Sequence, residues 1–202
     1  MSLVILDYGI GNLRSVQKAF EAIGTPALIT DDPQKVAEAD RVVLPGVGAF
    51  ADCMAKYTAA GFHPVVTDHL RQEKPFLGIC VGMQMLFTTG YENGTHAGLG
   101  IFPGEVVRFP SEPGFKVPHM GWNQVQAVGE HSLGRAVPPG SWFYFVHSYY
   151  CVPADPSIIA FETDYVVRFC AAVQRGRLMA TQFHPEKSQA AGLQLLKAFS
   201  EL

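Results

Sequence analysis

PFLGICVGMQMLF, residues 75–87, carries an apolar run, a cysteine set between two glycines, and then helical spacing. Residues 75–79 suit a buried strand and 81–87 a helix, which puts Cys80 at a strand-to-helix turn. Gly78-Ile79-Cys80-Val81-Gly82 has the small–x–nucleophile–x–small form of a nucleophile elbow, with cysteine in place of serine. A turn that sharp strains the backbone and crowds the positions two residues away, which glycine relieves. A helix start next to the sulfur favours the thiolate. The Val81 backbone N–H is then aimed at the oxygen of a tetrahedral intermediate. The plain alternative is a buried cysteine in a glycine-bordered turn.

Upstream of the elbow, strand-like and helix-like patterns alternate. Residues 3–6 form a short apolar run; Leu13, Val16, Phe20 and Ile23 then recur at spacings of three and four, and Gly24 closes the helix. Residues 27–30 and 41–44 read as strands, with a short helix from Pro33 between them. PGVGAF, residues 45–50, is a glycine-rich loop ahead of a helix ending near residue 60, and a further helix spans about 64–72. This repetition argues for a mostly parallel sheet flanked by helices.

Downstream the pattern changes to strands at 106–109, 124–128, 142–146, 158–162, 166–173 and 178–183, separated by Pro and Gly turns. They predict mixed or antiparallel additions to the sheet. A final helix over 189–202 places Leu195, Phe199 and Leu202 on one face. No repeat, low-complexity tract or linker divides the chain, so a single α/β domain over 1–202 is expected.

Composition narrows the function classes. The 202 residues suffice for a substantial core, and 48% hydrophobic against 16% charged is an ordinary globular balance. A net charge of −3 gives no electrostatic footprint for nucleic acid, and no basic cluster suggests a membrane surface. The start of the chain lacks the basic and apolar regions of a signal peptide, so a soluble, cytoplasmic protein is expected. Four cysteines, Cys53, Cys80, Cys151 and Cys170, form no CxxC pair and are expected to be reduced. Neither HExxH nor paired CxxC spacing is present, so no metal or cofactor is expected.

A thiolate nucleophile needs a proton partner. Of seven histidines, His184 in LMATQFHPEKS stands just past a predicted strand, with Glu186 two residues on. In extended chain, residues i and i+2 share a side, so Glu186 is placed to bond the His184 ring and fix its tautomer. Cys80, His184 and Glu186 make a nucleophile–base–orienter set. His147 in FVHSYY is the rival base.

DYGIGNLRSV, residues 7–16, raises a different possibility: a glycine-spaced turn cradling a nucleotide phosphate, with Asp31 as ribose ligand. The fingerprint's third glycine falls on Arg14, which cannot let helix and strand pack closely. Asn12 suits a helix N-cap, and Asp31-Asp32-Pro33 the start of the next helix. The glycines then serve a tight turn at the carboxyl edge of the sheet, the edge that presents Cys80.

GICVGMQ with a downstream FHPE resembles the class I (triad) glutamine amidotransferases, which have a flavodoxin-like sheet. YGIGNLRSV, PGVGAF, KVPHMGWN, FVHSYY and QFHPEKS narrow the resemblance, over essentially the whole chain, to the glutaminase subunits of imidazole glycerol phosphate synthase. Val81 stands where that family more often has leucine; the role there is a backbone N–H. The resemblance implies that Cys80 attacks the side-chain amide of glutamine, that His184 moves protons, and that Glu186 orients it. It implies glutamine contacts at Gly46, Gln84, Ser148 and Tyr149, and an oxyanion loop at Val47 and Gly48; the pair of glycines around Val47 further predicts a loop that rests with a carbonyl turned toward the hole and flips when the partner binds its nucleotide. Without it, Gln84 reads as a helix-surface residue and Tyr149 as a core aromatic. It implies a (β/α)8-barrel cyclase subunit as partner in histidine biosynthesis, facing Ile10, Asn12, Arg14, Trp122, Tyr144 and Lys187. Read plainly, these last are packed aromatics and surface polar residues.

Rival readings remain on the sequence alone. The glutaminase subunit of another ammonia-channelling synthase, such as pyridoxal phosphate synthase, shares the elbow and FHPE; PHMGWN and GIGN argue against it. A stand-alone γ-glutamyl hydrolase would be active without a partner. A regulatory binding module would not need Cys80, His184 and Glu186 together.

Overall fold

The computed structural model describes all residues, Met1–Leu202. Its first half runs β1 (Leu3–Leu6), α1 (Leu13–Ala22), β2 (Ala27–Thr30), α2 (Pro33–Ala37), β3 (Arg41–Gly46), α3 (Phe50–Ala59), α4 (Phe62–Arg71), β4 (Phe76–Cys80) and α5 (Val81–Gln84). Then come β5 (Phe87–Gly90), β6 (His96–Ala97), β7 (Phe102–Arg108), β8 (His119–Gln124), β9 (Gln126–Ala127), α6 (Ser132–Arg135), β10 (Trp142–His147) and β11 (Tyr149–Pro153). β12 (Ile159–Tyr165), β13 (Val167–Arg175), β14 (Leu178–Thr181) and α7 (Gln189–Ser200) complete the chain.

The apolar runs that open the chain become central strands because both their faces are covered: every residue of β1, β3, β4 and β14 is buried. In the large sheet, β2, β1, β3, β4 and β14 lie side by side and parallel. β13 and then β11 continue it antiparallel, and β7, β5 and β6 extend it to the far edge. β12 pairs with β13 off this path. Helix α1 turns Val16, Ala19 and Phe20 to the sheet, and α7 turns Leu195, Leu196 and Phe199. Both the parallel block and the mixed half were therefore legible from periodicity.

Several boundaries differ, each for a local reason. The helix expected over 81–87 is only α5; Leu86 N bonds Met83 O in a tighter turn, and Phe87 enters strand β5. The segment 124–128 is no single strand: β8 ends at Gln124, buried Val125 marks the crossing, and β9 joins β12 instead. β11, next to the 142–146 segment, passes without a turn signal, because Ser148 alone separates it from β10.

β8 and β10 form a separate antiparallel ribbon, with Trp122 opposite Tyr144 and His119 opposite His147. Its inner face carries His119, Phe143, Phe145 and His147, all buried. The outer face leaves Met120, Trp122 and Trp142 exposed by 63%, 43% and 52%. Two-residue alternation thus separates a core face from an apolar outward one.

At the parallel block, the carboxyl ends of β1, β3, β4 and β14 share an edge. From it emerge the 7–12 turn, the 45–49 loop, Cys80 and the segment bearing His184. Such an edge is where open α/β sheets place their ligands. No helix is long and apolar enough to cross a membrane.

Candidate active site

Cys80 ends β4 with φ 56° and ψ −113°, a conformation costly for a residue with a Cβ. Its glycine neighbours make the turn possible. A Cβ on Gly82 would stand 2.0 Å from the Leu44 carbonyl oxygen, and one on Gly78 would stand 2.9 Å from the Gly82 oxygen. Gly46, paired with Cys80 across β3 and β4, would meet Gly82 N at 2.6 Å. Three glycines therefore let two strands and the start of α5 close around the nucleophile.

His184 follows β14, which lies directly beside β4. Its Nδ1 donates to Glu186 Oε1 at 2.8 Å, and both side chains are 2% exposed or less. The contact expected from extended chain is present, but the link is a 3₁₀ turn, Pro185–Lys187, with Lys187 N on the His184 carbonyl. The backbone of His184 is pinned from the ribbon: its N–H donates to Tyr144 O, and Tyr144 N donates to Ser188 Oγ. Nε2, on the far side of the ring from Glu186, has no hydrogen-bond partner. It shares with Cys80 a cavity of about 480 Å³.

Electrostatics tie the three together. Burial opposes a charged His184 ring, but the nearby Cys80 sulfur and then the Glu186 carboxylate outweigh it, raising His184 to about 10. The result is a His184 ring held in its charged form between the Cys80 sulfur and the Glu186 carboxylate.

The 45–49 loop is held from below. Tyr8 Oη donates to Pro45 O at 2.5 Å, and Cys53 Sγ donates to Val47 O at 3.4 Å. Burial raises the Cys53 thiol to about 11, so it remains a donor. Val47 and Gly48 line the cavity, whereas Cys53 does not. The Val47 carbonyl is thus parked on α3, and the Gly48 N–H of the same trans peptide points the opposite way.

Residues 4–201 match the family model described as glutamine amidotransferase class-I. The chain belongs to the class I glutamine amidotransferase family. It is 55% identical over 205 residues, 99% of this chain and all of the relative, to imidazole glycerol phosphate synthase subunit HisH of Syntrophotalea carbinolica. The HisH subunit of Geobacter sulfurreducens is 52% identical over 99% of this chain and 98% of its own. Among solved structures, a glutamine amidotransferase superposes with a TM-score of 0.76 at 16% identity, covering 98% and 97% of the two chains. The structure of PurLQS from Thermotoga maritima gives 0.75 at 17%, covering 99% and 97%. At those identities the likeness is one of fold.

In this amidotransferase the cavity gathers most of the residues singled out by sequence. Cys80, Val81, Val47, Gly48, Gln84, Ser148, Tyr149, His184 and Lys187 all line it. Glu186 stands behind His184, lining with Arg14 an open depression on the other side. Gly46 is not in the cavity lining; its missing side chain makes room for Gly82. Gln84 is no surface residue: it is 3% exposed, and Nε2 donates to Tyr149 O and Gln182 Oε1 at 3.0 Å each.

Of the other expected residues, Asn12 occupies the N-cap position of α1, yet its side chain accepts from Ser15 Oγ at 2.8 Å instead of capping the backbone. Asp32 does cap α2, accepting from Gln34 N at 2.9 Å. Gly9 and Gly11 take φ of 78° and 132°, so the 7–12 turn needs them for its shape. Trp122 and Tyr144 meet edge to face, rings 6.2 Å apart, and Lys187 Nζ lies 5.8 Å from the Tyr144 ring centre. That trio joins the ribbon's outer face to the cavity mouth.

His147 lines the cavity but has no nitrogen to spare. Nδ1 donates to Tyr149 O at 2.8 Å, so Nε2 accepts from His119 Nδ1 at 3.1 Å. Burial holds His119 down to about 4 and His147 to about 3, the latter helped by the charges of His119 and His184. Both rings are neutral structural partners.

Sequence reasoning passed over two residues. Glu92 lines the cavity while its Oε2 accepts from Phe50 N at 2.7 Å, leaving a carboxylate where a zwitterionic ligand's ammonium needs one. It lies in a polar loop, TGYENGT, that carries no positional signal. Gln182 is fully buried beside Cys80; its only mark in sequence is its place two residues before His184.

Proposed function

We propose that this amidotransferase is the glutaminase subunit of an imidazole glycerol phosphate synthase, releasing ammonia from glutamine through a Cys80 thioester. One observation carries the chemistry: a strained Cys80 shares a cavity with His184, whose other nitrogen is fixed by Glu186 at 2.8 Å. The Cys80 thiolate attacks the side-chain amide carbon of glutamine, and the carbonyl oxygen takes up the negative charge. Backbone N–H groups of Val81 and of the Val47–Gly48 loop stabilise that oxyanion. His184 gives its Nε2 proton to the amide nitrogen, the C–N bond breaks, and ammonia leaves. Water, giving a proton to His184, attacks the thioester; the C–S bond breaks, releasing glutamate and regenerating the thiolate.

The pocket suits the substrate's other end. Glu92 offers a carboxylate to the α-ammonium, and Ser148, Tyr149 and Lys187 offer polar contacts around the α-carboxylate. Gln84, its amide nitrogen spent on Tyr149 and Gln182, keeps the floor of the pocket in place.

Ammonia released into water becomes ammonium, which is no nucleophile, so its use calls for a dry path to a second site. We assign that site to a (β/α)8-barrel cyclase subunit, which joins ammonia to a phosphorylated ribulosyl intermediate. The products are imidazole glycerol phosphate and an aminoimidazole carboxamide ribotide. The exposed apolar ribbon face and the 7–12 turn support docking on the edge that carries Cys80. The reading places the whole chain in one cytoplasmic domain with a protein partner and no cofactor. Glutamine hydrolysis measured alone, and with the cyclase subunit and its nucleotide ligand, tests it: acceleration by the loaded partner supports it, and full activity alone contradicts it.

A further inference from the structure

Amide geometry around the nucleophile assigns a role to a residue outside the triad. Gln182 follows β14 directly and is 0% exposed, and the Thr181–Ile79 register brings it alongside Cys80. Its amide orientation is dictated by its neighbours. Tyr149 O is a backbone carbonyl and can only accept, so the Gln84 atom 3.0 Å from it is the donor Nε2. The second Nε2 hydrogen of Gln84 needs an acceptor, and Gln182 Oε1 is 3.0 Å away. With its oxygen committed, Gln182 turns its NH₂ toward Cys80 Sγ at 3.8 Å. Tyr149 O is itself held from the other side by His147 Nδ1, which His119 buttresses in turn. The amide is thus locked by an unbroken chain of directional bonds.

We propose that Gln182 is a further catalytic residue of this amidotransferase, its side-chain amide donating to the Cys80 sulfur and holding it as an aimed thiolate. The proposal rests on the glutaminase reading above and deepens it. A neutral amide suits this position because it stabilises negative charge on sulfur without a proton to lose, and therefore does not compete with His184 as acid or base. The same bonds join the nucleophile to the Tyr149 wall of the glutamine pocket, so sulfur and substrate are registered against one rigid frame.

Gln182→Met keeps length and volume while deleting the donor, and Gln182→Glu keeps an acceptor for Gln84 while setting a carboxyl beside the sulfur. Iodoacetamide alkylation of Cys80 across pH, followed by mass spectrometry of the Cys80 peptide, reads the thiolate without requiring glutamine turnover. The expected result is a rise of about one pH unit in the alkylation midpoint for Gln182→Met, with a larger rise for Gln182→Glu. Glutamine kcat should fall about tenfold or more with KM changed less than about threefold. Should Gln182→Met fail to fold, as seen by circular dichroism, Gln182→Glu supplies the same readings. An unmoved midpoint in a folded variant overturns the proposal, as does a raised KM with unchanged kcat. Loss of the glutaminase reading has a different signature: wild-type glutamine hydrolysis that survives complete Cys80 alkylation.

Discussion

A single histidine shows how burial and charge set the chemistry here. His184 sits at about 10, against the ordinary 6.5, because Cys80 and Glu186 outweigh the burial that opposes its charge. A group raised in this way contributes stability in full below pH 6.5, and that contribution is lost as pH rises toward about 10. Urea unfolding midpoints should therefore decline over that window, and the decline should be shallower in Cys80→Ala, which removes the sulfur. Equal slopes in both proteins would contradict the pairing. Glu186→Gln keeps the shape of the side chain but not its charge, and glutamine kcat should fall about 10²- to 10⁴-fold with KM little changed. His119 and His147 act in the opposite sense: held at about 4 and 3, they support the fold above pH 6.5 and withdraw that support as pH falls toward those values.

At the scale of elements, two glycines with similar sequence surroundings do different work. Gly82 has the Leu44 carbonyl 2.0 Å from its would-be Cβ, so Gly82→Ala must push β3 from α5; a loss of about 3 kcal/mol or more in chemical denaturation is expected. Gly48 has nothing within 4 Å but a φ of +90°, so Gly48→Ala should fold with a loss of about 1–2 kcal/mol while slowing hydrolysis through the proposed oxyanion loop. The elbow was legible because its physics is local: a strand, a strained residue and flanking glycines adjoin in sequence. So was the Cys80–His184–Glu186 set, since β4 and β14 each announce themselves as apolar runs. The shortness of α5 was not, because the chain turns into β5 to pair with β7, a partner 15 residues downstream whose presence no local propensity reports. Gln182 and Glu92 escaped for the same reason: each acquires its role only when distant elements meet.

For the whole molecule, the edge that carries the cavity also carries large apolar exceptions to burial, the exposed Met120, Trp122 and Trp142 of the β8–β10 ribbon. Tyr144 O holds the His184 backbone from this ribbon, so whatever docks on its outer face presses on the segment that bears the base. Trp122→Ala should leave unfolding of the isolated chain unchanged within about 0.5 kcal/mol, and weaken association with the proposed barrel subunit about 10- to 100-fold in titration calorimetry. The central claim, a glutamyl thioester on Cys80, is tested most directly by acid-quenching the partner-activated enzyme during turnover of isotopically labelled glutamine and mapping the label. Label should appear on the Cys80 peptide, disappear on treatment with hydroxylamine, and be absent from Cys80→Ala. Steady hydrolysis with no label on Cys80, or hydrolysis that persists in Cys80→Ala, would contradict it.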